Sequence, residues 1–113
     1  MRKSDKKIEN QLIITLTDLC DTALKNLTGF EWLTHLVNYN NFPASLKIIC
    51  VFDTNDNLSN FTNSQSCHEL GILIQKKLFE IDVNLTNISK QIAYDTEENC
   101  LKSHNGEWAD RLK

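Results

Sequence analysis

A chain of 113 residues is long enough for one domain with its own core and too short for two. With 41% hydrophobic and 24% charged residues it has ordinary globular usage, not that of a disordered chain. A net charge of −3 argues against a domain built to coat nucleic acid, because phosphate contacts demand a basic excess.

The first predicted element is a helix. Ser4 or Asp5 can cap it, and Ile8, Leu12, Leu16, Leu19, Cys20, Ala23 and Leu27 recur at steps of three and four along one face. Thr28-Gly29 is its stop. The aromatic and β-branched stretch 31–39 reads as a strand, with Trp32 and Leu36 on one face and Leu33 and Val37 on the other. After a turn at 40–45 around Pro43, residues 46–52 read as a second strand. Its Leu46, Ile48, Cys50 and Phe52 form a fully apolar face, and Ile49 and Val51 make the other face half apolar. The simplest pairing of the two is an antiparallel hairpin.

Residues 53–66 are nearly all Asp, Asn, Thr and Ser, and read as a long polar connection with room for one helical turn around Leu58. A second main helix is predicted at 67–81 from Leu70, Ile74, Leu78 and Ile81, although the interior Gly71 costs it about 1 kcal/mol relative to Ala. Val83, Leu85 and Ile88 suit a short strand or ordered loop. Residues 91–94 suit a strand, Asn105-Gly106 a turn, and 107–112 a short helix docking Trp108 and Leu112. There is no internal repeat, low-complexity tract or interdomain linker. The expectation is a single α+β domain over 1–113, with a small three- to four-stranded, largely antiparallel sheet and two main helices on one face. The other face, with Ile49 and Val51, then needs a cover, either the C-terminal tail or a second copy of the chain.

No stretch approaches the roughly 20 apolar residues of a membrane helix, and the N-terminus lacks the apolar core of a signal peptide. The expected location is the cytoplasm. The Asn-x-Ser/Thr sites at Asn26, Asn57, Asn60, Asn84 and Asn87 are then not glycan acceptors, and Cys20, Cys50, Cys67 and Cys100 stay reduced.

Two sets of side chains carry candidate chemistry. Cys67, His68, Cys100 and His104 make up the donor types of a tetrahedral zinc site, but adjacent Cys67 and His68 diverge and no Cys-x-x-Cys knuckle is present. Asp53 and Asp56 follow the second strand, and Asp95, Glu97 and Glu98 follow a later one. On neighbouring strands these carboxylates could converge on a divalent cation, as in a metal-dependent hydrolase, although no lysine stands in an Asp/Glu-x-Lys arrangement with them. Packing accounts for the first set and solvated turns for the second more simply. Phosphate loops, nucleophile elbows and His-Glu-x-x-His are absent, and His35 suits a hydrogen-bonded or edge position. Trp32 and Trp108 suit core anchors better than stacking platforms, since only Lys102 and Arg111 supply basic charge near Trp108. No cofactor is implied.

The segments from Trp32 to Tyr39, Lys47 to Asn55, Tyr94 to Cys100 and Trp108 to Leu112 resemble a group of small uncharacterised bacterial proteins. Some of these are named as transcriptional regulators similar to the factor for inversion stimulation. That name implies an all-helical chain ending in a basic helix-turn-helix. Here the C-terminal third reads as strand plus turn, is acidic over Asp95–Glu98, and offers no recognition helix. The leading expectation is a non-enzymatic interaction or regulatory module, a possible homodimer with an unidentified protein partner. The alternatives are a DNA-binding regulator using Arg2, Lys3, Lys6 and Lys7, and the metal-dependent hydrolase. Tight duplex binding is not expected.

Overall fold

The computed structural model describes residues 3–113. Over these it is an α+β fold with six helices and a three-stranded mixed sheet.

Helix α1 (Lys3–Asn26) buries Leu12, Leu16, Leu19 and Ala23, the stripe that the three-to-four spacing selects. It begins ahead of Ser4 and Asp5, which lie inside its first turn. Gly29 follows at φ +82°, a backbone conformation that only glycine adopts without strain. Strand β1 (Phe30–Leu36) and strand β2 (Lys47–Phe52) form the antiparallel hairpin, with Leu33 opposite Cys50 and Thr34 opposite Ile49. An irregularity between Phe30 and Trp32 keeps Phe30 on the core face, edge-on to Phe52 at 5.6 Å.

The polar connection holds more order than its composition suggests. Thr54 caps helix α2 (Asn55–Thr62), its hydroxyl accepting from the Asn57 N–H, and α2 buries Phe61. Helix α3 (Gln65–Phe79) buries Leu70, Ile74 and Leu78. A four-residue helix α4 (Ile88–Gln91) leads directly into strand β3 (Ile92–Thr96). Buried Gln91 ties that junction to the hairpin turn, donating to the carbonyls of Pro43 and Leu46 and accepting from the Asn87 N–H. Helices α5 (Glu97–His104) and α6 (Trp108–Arg111) complete the chain.

The sheet order is β1-β2-β3, with β3 parallel to β2 and Cys50 opposite Tyr94. The largely antiparallel sheet is corrected here to a mixed one, and no fourth strand is found among the described residues. Residues 53–91 are a crossover of the length and helical content that parallel strands require. A second correction concerns the C-terminal third. Thr96 caps α5 through its hydroxyl, a helix that the strand-plus-turn reading lacked, and the expected turn at Asn105 (φ +54°) and Gly106 (φ +83°) is present and ends it.

Helices α1 and α3 lie on the same face of the sheet, over Ile48, Cys50 and Phe52. On the opposite face Ile49 is 4% exposed and Val51 0% exposed within the single chain. Trp108 of α6 packs edge-on against Trp32, the strand neighbour of Val51, with ring centres 4.8 Å apart. The tail therefore contributes cover to the face for which a second copy had been a candidate. Among the described residues no helix is long and apolar enough to cross a membrane.

Candidate functional site

Parallel strands deliver their carboxyl ends to one side of a sheet, the usual place for a site in such folds. Here β2 and β3 end in closely similar sequences, Phe52-Asp53-Thr54-Asn55-Asp56-Asn57 and Tyr94-Asp95-Thr96-Glu97-Glu98-Asn99. This short internal echo had passed unnoticed in the sequence. Both turns are built alike. Asp53 Oδ1 accepts the Thr54 N–H at 2.7 Å, and Asp95 Oδ1 accepts the Thr96 N–H at 2.8 Å. Each threonine then caps the helix that follows. Asn57 Nδ2 returns to Asp53 Oδ1 at 2.9 Å, and Asn99 stands at the matching place after Asp95.

The turns are stitched to each other, largely through Asn55. Its N–H donates to Glu98 Oε1 at 2.9 Å, and its Nδ2 donates to Asn99 Oδ1 at 2.8 Å. Its Oδ1 accepts from the buried Thr96 hydroxyl at 2.7 Å. The Glu98 N–H reaches the Asp53 carbonyl at 3.1 Å. Gly29 closes against the first turn, its carbonyl accepting the Asp53 N–H at 2.8 Å. A Cβ on Gly29 would lie 2.6 Å from Asp53 Oδ1 and 2.7 Å from Asn57.

A second layer seats the C-terminus. Arg111 grips Asp95 with two donors, Nε to Oδ2 at 2.6 Å and Nη2 to Oδ1 at 3.0 Å, in a largely buried fork. Arg111 Nη1 also lies 3.3 Å from His104 Nδ1. Glu97 bridges both indoles, accepting from Trp32 Nε1 at 2.6 Å and Trp108 Nε1 at 3.1 Å. Trp32 and Trp108 are thus anchors, each with its polar N–H satisfied.

These bonds set the titration of the cluster. The bond from Asn57 holds the Asp53 carboxyl below its usual range. Burial works to raise Asp95, but the bonds and charge of Arg111 with the Thr96 N–H outweigh it, and its pKa is lowered. Glu98 is lowered by the Asn55 N–H and Lys102. Ionised and already satisfied by the chain, Asp53, Asp95 and Glu98 are structural acceptors, and none of these three is held protonated as a general acid would be.

The candidate zinc donors are divided by the sheet. Cys67 lies at the start of α3, its Sγ 3.8 Å from Tyr94 Oη on the core face, and His68 beside it is exposed. Cys100 is fully buried among the charges of Asp95, Glu97 and Arg111 on the other side, with His104 against Arg111. Asp53 and Asp95 do stand on adjacent strand ends, but Asp56 is exposed on α2 and Glu97 is occupied by the two indoles. Among the described residues no group of three or more His, Cys, Asp or Glu is placed to hold a metal ion. Burial pushes the Cys50 thiol up to about 12, which leaves it protonated and inert at neutral pH. His35 on β1 is lowered by burial, with Glu9 opposing.

Open grooves run along α1 and α3, two of them against the sheet. One, of about 320 Å3, runs between α1 and β1 and is lined by Ile13, Cys20, Leu33 and His35. The other, of about 500 Å3, lies between α3 and β3, with Gly71, Ile72, Ile88, Ile92 and Tyr94 in its walls. A scan against protein-family models, a search of curated proteins and a search of solved structures each found no match.

Proposed function

We propose that this chain is a non-enzymatic interaction or regulatory module of the cytoplasm that binds another protein. One observation carries the reading: the reactive side chains gathered at the carboxyl ends of β2 and β3 are spent on holding the chain to itself. Asp53 closes its own turn, Glu98 joins the two turns, Asp95 holds Arg111, and Glu97 holds Trp32 and Trp108. Apolar side chains are meanwhile left outside. Ile13, Ile14 and Leu24 stand exposed on α1, and Ile13 lines the groove against β1. Action on DNA draws less support, because α5 opens on Glu97 and Glu98 and α6 is only four residues long. Of the basic cluster, Lys3, Lys6 and Lys7 are exposed on α1, and Arg2 lies outside the described residues.

The test is affinity capture from the native cell with wild type and an Ile14→Asp/Leu24→Asp variant, whose exposed positions leave folding intact. Proteins enriched by wild type and lost with the variant are the expected result. Metal-dependent hydrolysis abolished by Asp53→Asn would overturn the reading.

A further inference from the structure

We infer that two copies of this chain pair through the free edge of β3 and the outer stripe of α3, so that one sheet runs across both. The argument begins at the sheet. Strand β3 pairs with β2 on one side and has no strand neighbour on the other among the described residues. An unpaired edge carries a row of backbone donors and acceptors that a further strand satisfies.

Helix α3 overhangs that edge. Its buried stripe, Leu70, Ile74 and Leu78, rests on the core. The neighbouring stripe, His68, Ile72, Gln75 and Phe79, recurs at helical spacing and faces outward, with Ile72 51% and Phe79 65% exposed. Beneath it is the groove of about 500 Å3, with Ile92 and Tyr94 of β3 in its lining. A strand added to β3 continues that row of side chains under α3.

Gly71 is the second observation. An interior glycine weakens a helix, and here nothing in the chain lies within 4 Å of the place its Cβ would take. Internal packing therefore gives no reason for it. Its bare backbone lies in the wall of the groove, where it admits close approach from outside.

Charge selects the occupant. In a two-fold contact a patch meets itself, so any net charge on it repels. The stripe from His68 through Gly71, Ile72 and Gln75 to Phe79 contains no Lys, Arg, Asp or Glu, and neither do Ile92, Ala93 and Tyr94 on the strand. Asp95 at the strand's end is neutralised by Arg111. The stripe is also self-complementary. Gly71 and Phe79 are equally spaced about Gln75, so two antiparallel α3 helices crossing there seat Phe79 of each copy over Gly71 of the other. Gln75, both donor and acceptor, pairs with itself on the axis.

Sedimentation equilibrium of the full chain at micromolar concentration is the test. Wild type should give about twice 13.0 kDa. Ile72→Glu and Ile72→Lys, at a half-exposed position, should each give a folded monomer with an unchanged thermal midpoint, and their equimolar mixture should regain the doubled mass. Gly71→Ala separates pairing from folding: it should raise the thermal midpoint of the monomer yet weaken association about tenfold, because a methyl group now fills the contact. A wild-type mass of 13.0 kDa at the highest soluble concentration would overturn the proposal and leave the edge to a foreign strand. So would a dimer that Ile72→Glu leaves intact.

Discussion

At the end of β2, Asp53 sits half-exposed and its carboxylate is answered by its own turn, through Asn57 and the Thr54 N–H. At the end of β3, Asp95 occupies the equivalent place in a matching sequence but also holds Arg111 in a largely buried fork. The threonines differ in the same sense. Thr54 is exposed and caps only its own helix, whereas Thr96 is fully buried and also donates to Asn55 of the first turn. One local sequence pattern thus yields a self-contained cap in one place and the anchor of a tertiary clasp in the other. What separates them is what returns to each turn: Arg111 of α6 reaches the second, whereas the first is met by Gly29 and by Glu98 at the start of α5.

Substitutions can break this contrast. Gly29→Ala should be the most damaging. It forces a side chain into positive φ, costing on the order of 1–3 kcal/mol, and drives a methyl group onto Asp53 and Asn57. Denaturant titration should find the midpoint markedly lowered, with the first turn disrupted before the second. Asp95→Ala strands the Arg111 guanidinium. Discounted for its remaining exposure, the loss should be about 2 kcal/mol, well above that of Asp53→Ala. Equal losses in the two variants would erase the distinction.

The caps test the same contrast at finer scale. Thr96→Ala should cost about 1–2 kcal/mol, because a cap and a buried donor are both lost, and Thr54→Ala about 0.5–1 kcal/mol. The smallest effect lies in the pH dependence. Asp53, Asp95 and Glu98 have folded pKa values below their ordinary ones, so their stabilisation is present above the unfolded values near 4 and is lost as pH falls through the folded ones. The stability gap between wild type and Asp95→Asn, read by thermal melts, should therefore be widest near neutrality and close in acid. Asp53→Asn should show a narrower gap that closes in the same direction.

The elements legible in the sequence were α1, the β1–β2 hairpin and α3, from their apolar periodicity, and the short β3 and α6 from their apolar and aromatic residues. Helix α2 was read as one turn near Leu58 and α5 was missed, because each turns only one side chain, Phe61 or Cys100, fully into the interior. Their order comes from capping threonines and from bonds between the turns, and neither leaves a hydrophobic stripe to read. The parallel placement of β3 was hidden for a related reason. It depends on the crossover through α2 and α3, while residues 53–66 read as polar linker. Asp53, Asp56, Asp95 and Glu97 were singled out on the condition that their strands are neighbours, which β2 and β3 are, but the partners Arg111, Trp32 and Trp108 lie far from these carboxylates in the sequence or carry no motif that names them. The repeated Asp-Thr pair was the signal that could have disclosed the twin turns.

The chain contains two tryptophans, and both stand in one contact, edge to face and sharing Glu97. Its intrinsic fluorescence is consequently a local gauge and not a global one. Emission, quenching and the near-ultraviolet dichroism of the indole pair report whether α6 is seated on the sheet, and remain nearly blind to events at α1 or in the groove beneath α3. An optical melt of this protein follows the undocking of its C-terminus, and only far-ultraviolet dichroism follows the rest.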